Sequence, residues 1–254
     1  MPIIIAVAGK GGTGKTTFSG MLVRYLASKK QGHVLAVDAD PNSNLNEVLG
    51  VAAPTSLGEI REEMLDKGAG DGLPAGMTKQ EYLEFMFGDA LFEENDYDLL
   101  VMGRTQGAGC YCYVNGILRT QIDRYAGSYS HIVVDNEAGL EHISRGTLPR
   151  ADILLLVSDC SRRGIQAAGR VAQLVNDMKL KPKTMRLIVN RAPGGRISEG
   201  IMEEIEAQGL DLIGALPQDE IIYSYDSDGL PSSSVPDDSP VKVALMEIIK
   251  KLEL

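Results

Sequence analysis

One stretch near the start of the chain restricts its fold more than any other. "AVAGKGGTGKTTFSG" (residues 6–20) follows directly on the aliphatic run "IIIAVAG" and opens a helix-compatible segment. Within it, Gly9-Lys10-Gly11-Gly12-Thr13-Gly14-Lys15-Thr16 fits the spacing G-x-x-x-x-G-K-[ST], that of a phosphate-binding P-loop. Glycines at these places let main-chain N–H groups approach phosphate oxygens, and the helix N-terminus behind them adds its dipole. Lys15 is then placed to reach the β- and γ-phosphates of ATP, and the Thr16 hydroxyl to bind Mg²⁺. Gly9, Gly11, Gly12, Thr13, Gly14 and Thr17 complete the expected nucleotide cradle.

The loop works only between a strand and a helix, and the rest of the chain repeats that unit. Apolar runs recur at 3–9, 34–40, 97–103, 131–139, 151–159, 185–191 and 210–217, separated by helical patterns. Continuous apolar strands alternating with helices predict a parallel sheet covered on both faces. The expected fold is α/β: one domain over residues 1–254, doubly wound, with a mainly parallel sheet of about seven strands and helices on both faces. Ligands then belong at the carboxyl ends of the strands. Residues 52–96 depart from the pattern and read as a helical excursion carrying two helix-like pieces, 56–65 and 78–87. Val241, Leu245, Ile248, Ile249 and Leu252 share one face of a final helix that should close the sheet.

Lys10, right after the first glycine, makes K-G-G-x-G-K-T, which resembles the deviant P-loop of the MinD/ParA/nitrogenase-iron-protein class. The resemblance implies that Lys10 acts in trans, in a dimer whose two ATP-bound subunits face each other. A second cation there stabilises transition-state charge as an arginine finger does. "VDADPNSNLNEVLG" (37–50) places Asp38 and Asp40 two residues apart. The resemblance makes this switch I, with Asp40 positioning the attacking water and Asp38 in the outer Mg²⁺ shell; the alternative is that one of the pair caps the helix beginning near Asn42. "HIVVDNEAGLEHISRG" (131–146) reads as Walker B and switch II: Asp135 supports Mg²⁺ and the Gly139 amide senses the γ-phosphate. By the same resemblance Asn190, in "LIVNR", hydrogen-bonds adenine and Pro217, in "ALPQD", closes the base pocket.

Two of the three cysteines stand one residue apart in "MGRTQGAGCYCYVNGILR" (102–119). In an extended segment, Cys110 and Cys112 point to one face and can share an ion. Two thiolates leave a tetrahedral site half filled, and a second copy of the chain supplies the rest. A buried reduced pair and a redox pair are the alternatives. Taken together, "GKGGTGKTT", "VDADPNSNLNEVLG", "GAGCYCYVNGILR" and "VVDNEAGLEHISRG" closely resemble the nickel-insertion ATPases that mature carbon monoxide dehydrogenase and acetyl-CoA synthase. What the resemblance implies is an ATP-dependent homodimer that holds Ni²⁺ or Zn²⁺ between two C-x-C pairs and delivers nickel to that client enzyme. A MinD-like positioning ATPase and an iron–sulfur-carrying ATPase of the same class are the competing readings.

Composition narrows the partners. A net charge of −10 offers no basic footprint for nucleic acid. No apolar run approaches the roughly 20 residues that span a bilayer, "MPIIIAVAG" lacks a charged leader, and three cysteines make no disulfide framework. The expected location is the cytoplasm, without membrane or nucleic-acid partners.

Overall fold

The computed structural model describes residues 1–66, 76–78, 81–82, 85–86, 88, 90–104, 110–138 and 151–254, with only the backbone course for 64–66 and 110–115. Among these residues eight strands form one sheet: β1 (Ile3–Ala8), β2 (Val34–Ala39), β3 (Phe92–Glu93), β4 (Tyr97–Val101), β5 (His131–Asn136), β6 (Ile153–Asp159), β7 (Thr184–Ala192) and β8 (Leu212–Pro217). Their spatial order is β3-β4-β2-β5-β1-β6-β7-β8. Every neighbouring pair is parallel except β3 and β4, which run antiparallel through Phe92↔Leu99. The α/β reading holds, with one strand more than expected. β3 is a two-residue edge strand, too short to show any period in sequence.

Helices cover both faces. Among the described residues they include α1 (Lys15–Ser28), α2 (Leu45–Leu49), α3 (Leu57–Asp66), α4 (Cys110–Tyr125), α5 (Arg162–Asp177), α6 (Glu199–Ala207), α7 (Glu220–Ser227) and α8 (Pro240–Lys251). Side chains alternate along each strand, and the core divides accordingly. Ile5 and Val7 of β1, with Val34 and Ala36 of β2, pack on Phe18, Met21 and Leu22 of α1 and on Leu245 and Ile249 of α8. On the opposite face Ala6 and Ala8 meet Ile165 and Val171 of α5, while Leu35, Val37 and Leu100 meet Leu57, Ile60, Leu118 and Ile122 of α3 and α4. The excursion therefore contributes to the sheet's own core. Capping boxes Ser56–Glu59 and Thr78–Glu81, each with reciprocal side-chain to main-chain bonds, begin its two helical pieces.

α8 closes the sheet as its apolar stripe predicts: Val241, Leu245, Ile248 and Ile249 are all buried. Among the described residues no helix is long and apolar enough to cross a membrane.

β1 lies centrally between β5 and β6, with β2 beyond β5 on one side and β7 beyond β6 on the other. Connections diverge here, and the crevice they leave at the carboxyl ends is where an open α/β sheet takes its ligand. Gly9 leaves β1 at φ 152°, and a Cβ there would stand 2.2 Å from the Val157 carbonyl oxygen of β6. Gly9→Ala is thus expected to lower the stability by about 3 kcal/mol, through clash and backbone strain together. A denaturant midpoint unchanged from wild type would contradict it.

Candidate functional site

The P-loop connects β1 to α1. The N-cap of α1 is Gly14, at φ 88°, which has no side chain to cap the amides of the first turn. Those amides are left for an anion, with the positive end of the helix dipole behind them. In front lies a cleft of about 1250 Å³. Of the residues singled out from sequence, Gly11, Gly12, Gly14, Lys15, Thr16, Thr17, Asp40, Asn190 and Pro217 line it. Gly9, Lys10, Thr13, Asp38 and Asp135 do not line it; Thr13, Asp38 and Asp135 are buried.

Lys15 is only 6% exposed. Burial lowers its pKa, opposed by the charges of Asp135, Asp40 and Glu137. Its Nζ donates to the Lys10 carbonyl at 3.2 Å, and the Thr13 hydroxyl donates to the same oxygen at 2.9 Å. The loop is shaped from within, and the Lys10 residue itself is exposed.

β2 and β5 are paired so that Asp38 stands in register with Asp135. Both are essentially inaccessible. Burial drives the Asp38 carboxyl up to about 7, helped by the Asp135 charge and opposed by the Leu45 and Asp40 amides. Burial likewise lifts Asp135 to about 6, against hydrogen bonds from Thr16 and Ser19; Ser19 Oγ donates to Asp135 Oδ1 at 2.9 Å. Asp38 accepts from the main-chain amides of Asp40 (3.0 Å) and Leu45 (2.9 Å). Leu45 is the first residue of α2, so Asp38 ties the first amide of that helix to the end of β2. Asp40 reaches the cleft instead and accepts from the Asn42 amide at 2.8 Å.

On the far wall, Asn190 Nδ2 donates to the Thr13 carbonyl at 2.8 Å, and Asn190 Oδ1 accepts from the Arg191 amide. Arg191 Nη1 donates to the Gly12 carbonyl at 3.1 Å. Asn190 therefore braces the P-loop and keeps one amide hydrogen for another partner. Pro217, at the end of β8, pairs with Ala192 of β7 and also lines the cleft.

Cys110 and Cys112 require a correction. They begin helix α4 and are not in an extended segment. Residues two apart on a helix are about 200° apart around its axis, so the shared-face argument drawn from strand geometry does not apply. The helix forms because Leu118 and Ile122 recur at helical spacing and are buried in the core. The two cysteine side chains lie outside the described residues, as does Gly139 with the rest of the 139–150 segment. Among the described residues no group of three or more histidine, cysteine or acidic side chains converges as a metal site.

Residues 4–232 match the family described as CbiA, the CobQ/CobB/MinD/ParA nucleotide binding domain. The chain belongs to this family. It is an MinD/ParA-type ATPase. It is 44% identical over 250 residues to an uncharacterised ATP-binding protein of Methanocaldococcus jannaschii, covering 98% of both chains. It is 32% identical over 238 residues to the carbon monoxide dehydrogenase accessory protein CooC of Rhodospirillum rubrum, covering 89% of this chain and 88% of that one. Among solved structures, the cell division ATPase MinD of Pyrococcus furiosus superposes with a TM-score of 0.72 at 22% identity, over 100% of this chain and 99% of that one.

A MinD/ParA-type ATPase needs Mg²⁺ with its nucleotide, and the donor set suits it. The Thr16 hydroxyl and Asp135 carboxylate are hard oxygens of the kind Mg²⁺ prefers. Two buried carboxylates in register, both raised by burial, are an arrangement that a divalent cation relieves. Three contributors escaped the sequence reading: Arg191, Asn136, whose Nδ2 donates to the Val7 carbonyl at 3.0 Å, and the wall formed by α7. Arg191 and Asn136 act on main-chain atoms distant in sequence, and α7 reaches the cleft only through the fold, so no local motif announces them.

Proposed function

We propose that this ATPase is a homodimeric metal-delivery protein that carries Ni²⁺ or Zn²⁺ as cargo on Cys110 and Cys112 of both copies. Hydrolysis of ATP drives nickel insertion into carbon monoxide dehydrogenase/acetyl-CoA synthase in the cytoplasm. The observation carrying this reading is the position of the C-x-C pair. The Met102 amide, just past β4, donates to the Asp38 carbonyl at 2.8 Å, so the strand leading to the cysteine helix leaves the sheet beside the nucleotide cleft. The 32% identity to CooC supports the same client.

In this reading Lys15 binds the β- and γ-phosphate oxygens and Asn190 and Pro217 hold the adenine. Asp40 orients a water for attack on the γ-phosphorus; the β–γ bridging bond breaks, and ADP and phosphate leave. Thr16 and Asp135 hold Mg²⁺, with Asp38 behind them, and the ion offsets the negative charge of the phosphates. Lys10 of each copy reaches the other's phosphates, and the Gly139 amide reports the γ-phosphate. Splitting a four-thiolate site between two subunits gives a means of release, because an intact one holds borderline ions too tightly.

Size exclusion coupled to metal analysis, run anaerobically with ADP or ATP, tests it. The expected result is one Ni²⁺ or Zn²⁺ per dimer, varying with nucleotide and absent from Cys110→Ser/Cys112→Ser. ATP-driven dimers without cysteine-dependent metal would refute cargo binding. The fold likeness to MinD favours a positioning ATPase as the second reading, which nucleotide-dependent pelleting with liposomes would support.

A further inference from the structure

The end of β4 carries a contact that nucleotide binding alone does not use. The Met102–Arg104 segment leaves the sheet between two supports. On one side the Met102 amide is bonded to β2 at Asp38. On the other the Gly58 amide of α3 donates to the Met102 carbonyl at 2.9 Å, and a Cβ on Gly58 would stand 2.2 Å from the Arg104 carbonyl oxygen. The main chain of Arg104 is thus tightly placed, while its side chain is exposed and turns toward the 38–45 turn.

Arg104 Nη2 donates to Asn42 Oδ1 at 2.5 Å. Asn42 Nδ2 donates to Asp40 Oδ1 at 3.0 Å, and the Asn42 main-chain amide donates to the same oxygen. A guanidinium has only donors and a carboxylate only acceptors, so the amide between them has a single orientation. Guanidinium, amide and carboxylate form a chain in which each bond polarises the next.

We propose that Arg104 is a positioning residue for ATP hydrolysis. Through Asn42 it holds the Asp40 carboxylate in place, and, six residues ahead of Cys110, it links that carboxylate to the strand end that runs into the cysteine helix. The inference rests on Asp40 as the water-positioning group. Because coupling is reciprocal, a nucleotide-driven change at Asp40 is felt beyond Arg104, and a change at the cysteine helix is felt at Asp40.

Steady-state hydrolysis by Arg104→Ala, Arg104→Lys, Asn42→Ala and the Asn42→Ala/Arg104→Ala pair tests it, with Asp40→Asn as control. Arg104→Ala is expected to lower kcat about tenfold with KM within about twofold, because Asp40 acts on the attacking water and not on bound ATP. Arg104→Lys, which keeps a donor but loses the planar fork, should recover to within about threefold of wild type. The double variant should be no worse than either single one. Peptide-resolved alkylation of Cys110 and Cys112 by a maleimide gives an independent readout: its dependence on ATP and Mg²⁺ should disappear in Arg104→Ala. Wild-type kcat in Arg104→Ala, additive losses in the pair, or an unchanged nucleotide dependence of alkylation would overturn the inference. If Asp40→Asn is slow and Arg104→Ala is not, the inference alone fails; if Asp40→Asn is as fast as wild type, the reading of Asp40 fails with it. Should Arg104→Ala not fold, Asn42→Ala breaks the same chain from the other end.

Discussion

Lys15→Ala should reduce kcat/KM for ATP hydrolysis about a thousandfold, a loss on the order of 4 kcal/mol of transition-state stabilisation. The size follows from where the ammonium sits. Lys15 is the first residue of α1, at the positive end of the helix dipole and 6% exposed, so its charge acts through little water. Its one hydrogen-bond acceptor among the described contacts is the Lys10 carbonyl at 3.2 Å, which a phosphate oxygen can replace without dismantling a salt bridge. Burial lowers the Lys15 pKa, and the negative charges of Asp135, Asp40 and Glu137 oppose that lowering. A phosphate-release assay with calorimetric titration of ATP checks the result; a loss under about tenfold would show that the loop amides carry the charge alone.

Asp40→Asn should lower kcat roughly a hundredfold while leaving KM within about twofold. The substitution is nearly isosteric and keeps an acceptor for the Asn42 amide, which bonds to Asp40 Oδ1 at 2.8 Å, so the turn survives and only the charge is removed. Asp38, by contrast, is committed to the amides of Asp40 and Leu45, and its replacement should damage the turn itself. A pre-steady-state trace separates the two: Asp40→Asn binds ATP at the wild-type rate and stalls before phosphate release. Equal losses in binding and turnover would instead make Asp40 a structural residue of the same kind as Asp38.

The cysteine helix shows where local reading reaches its limit. "CYCYV" taken alone fits a strand, since tyrosine and valine favour extended backbone. What settles the segment as α4 is Leu118 and Ile122 further along, which must reach a core shared with Leu57 and Ile60. β3 escaped for the opposite reason, since two residues carry no period and pair only because β4 has an open edge.

Features that a short stretch of chain enforces were legible before any fold was known. The P-loop is one, because its glycines, lysine and threonine work at fixed local spacing. The parallel sheet is another, because strands buried on both faces must be apolar throughout. The closing role of α8 is a third, because a stripe of Val241, Leu245, Ile248 and Ile249 has to be covered. Tertiary structure alone decided the register of Asp38 against Asp135, the grip of Asn190 on Thr13 at a separation of 177 residues, and the reach of Arg104 to Asn42 across 62. In each of these a side chain meets its partner only after the strands that carry the two have taken their places in the sheet, and strand order is settled by the packing of the whole sheet, which no local window contains.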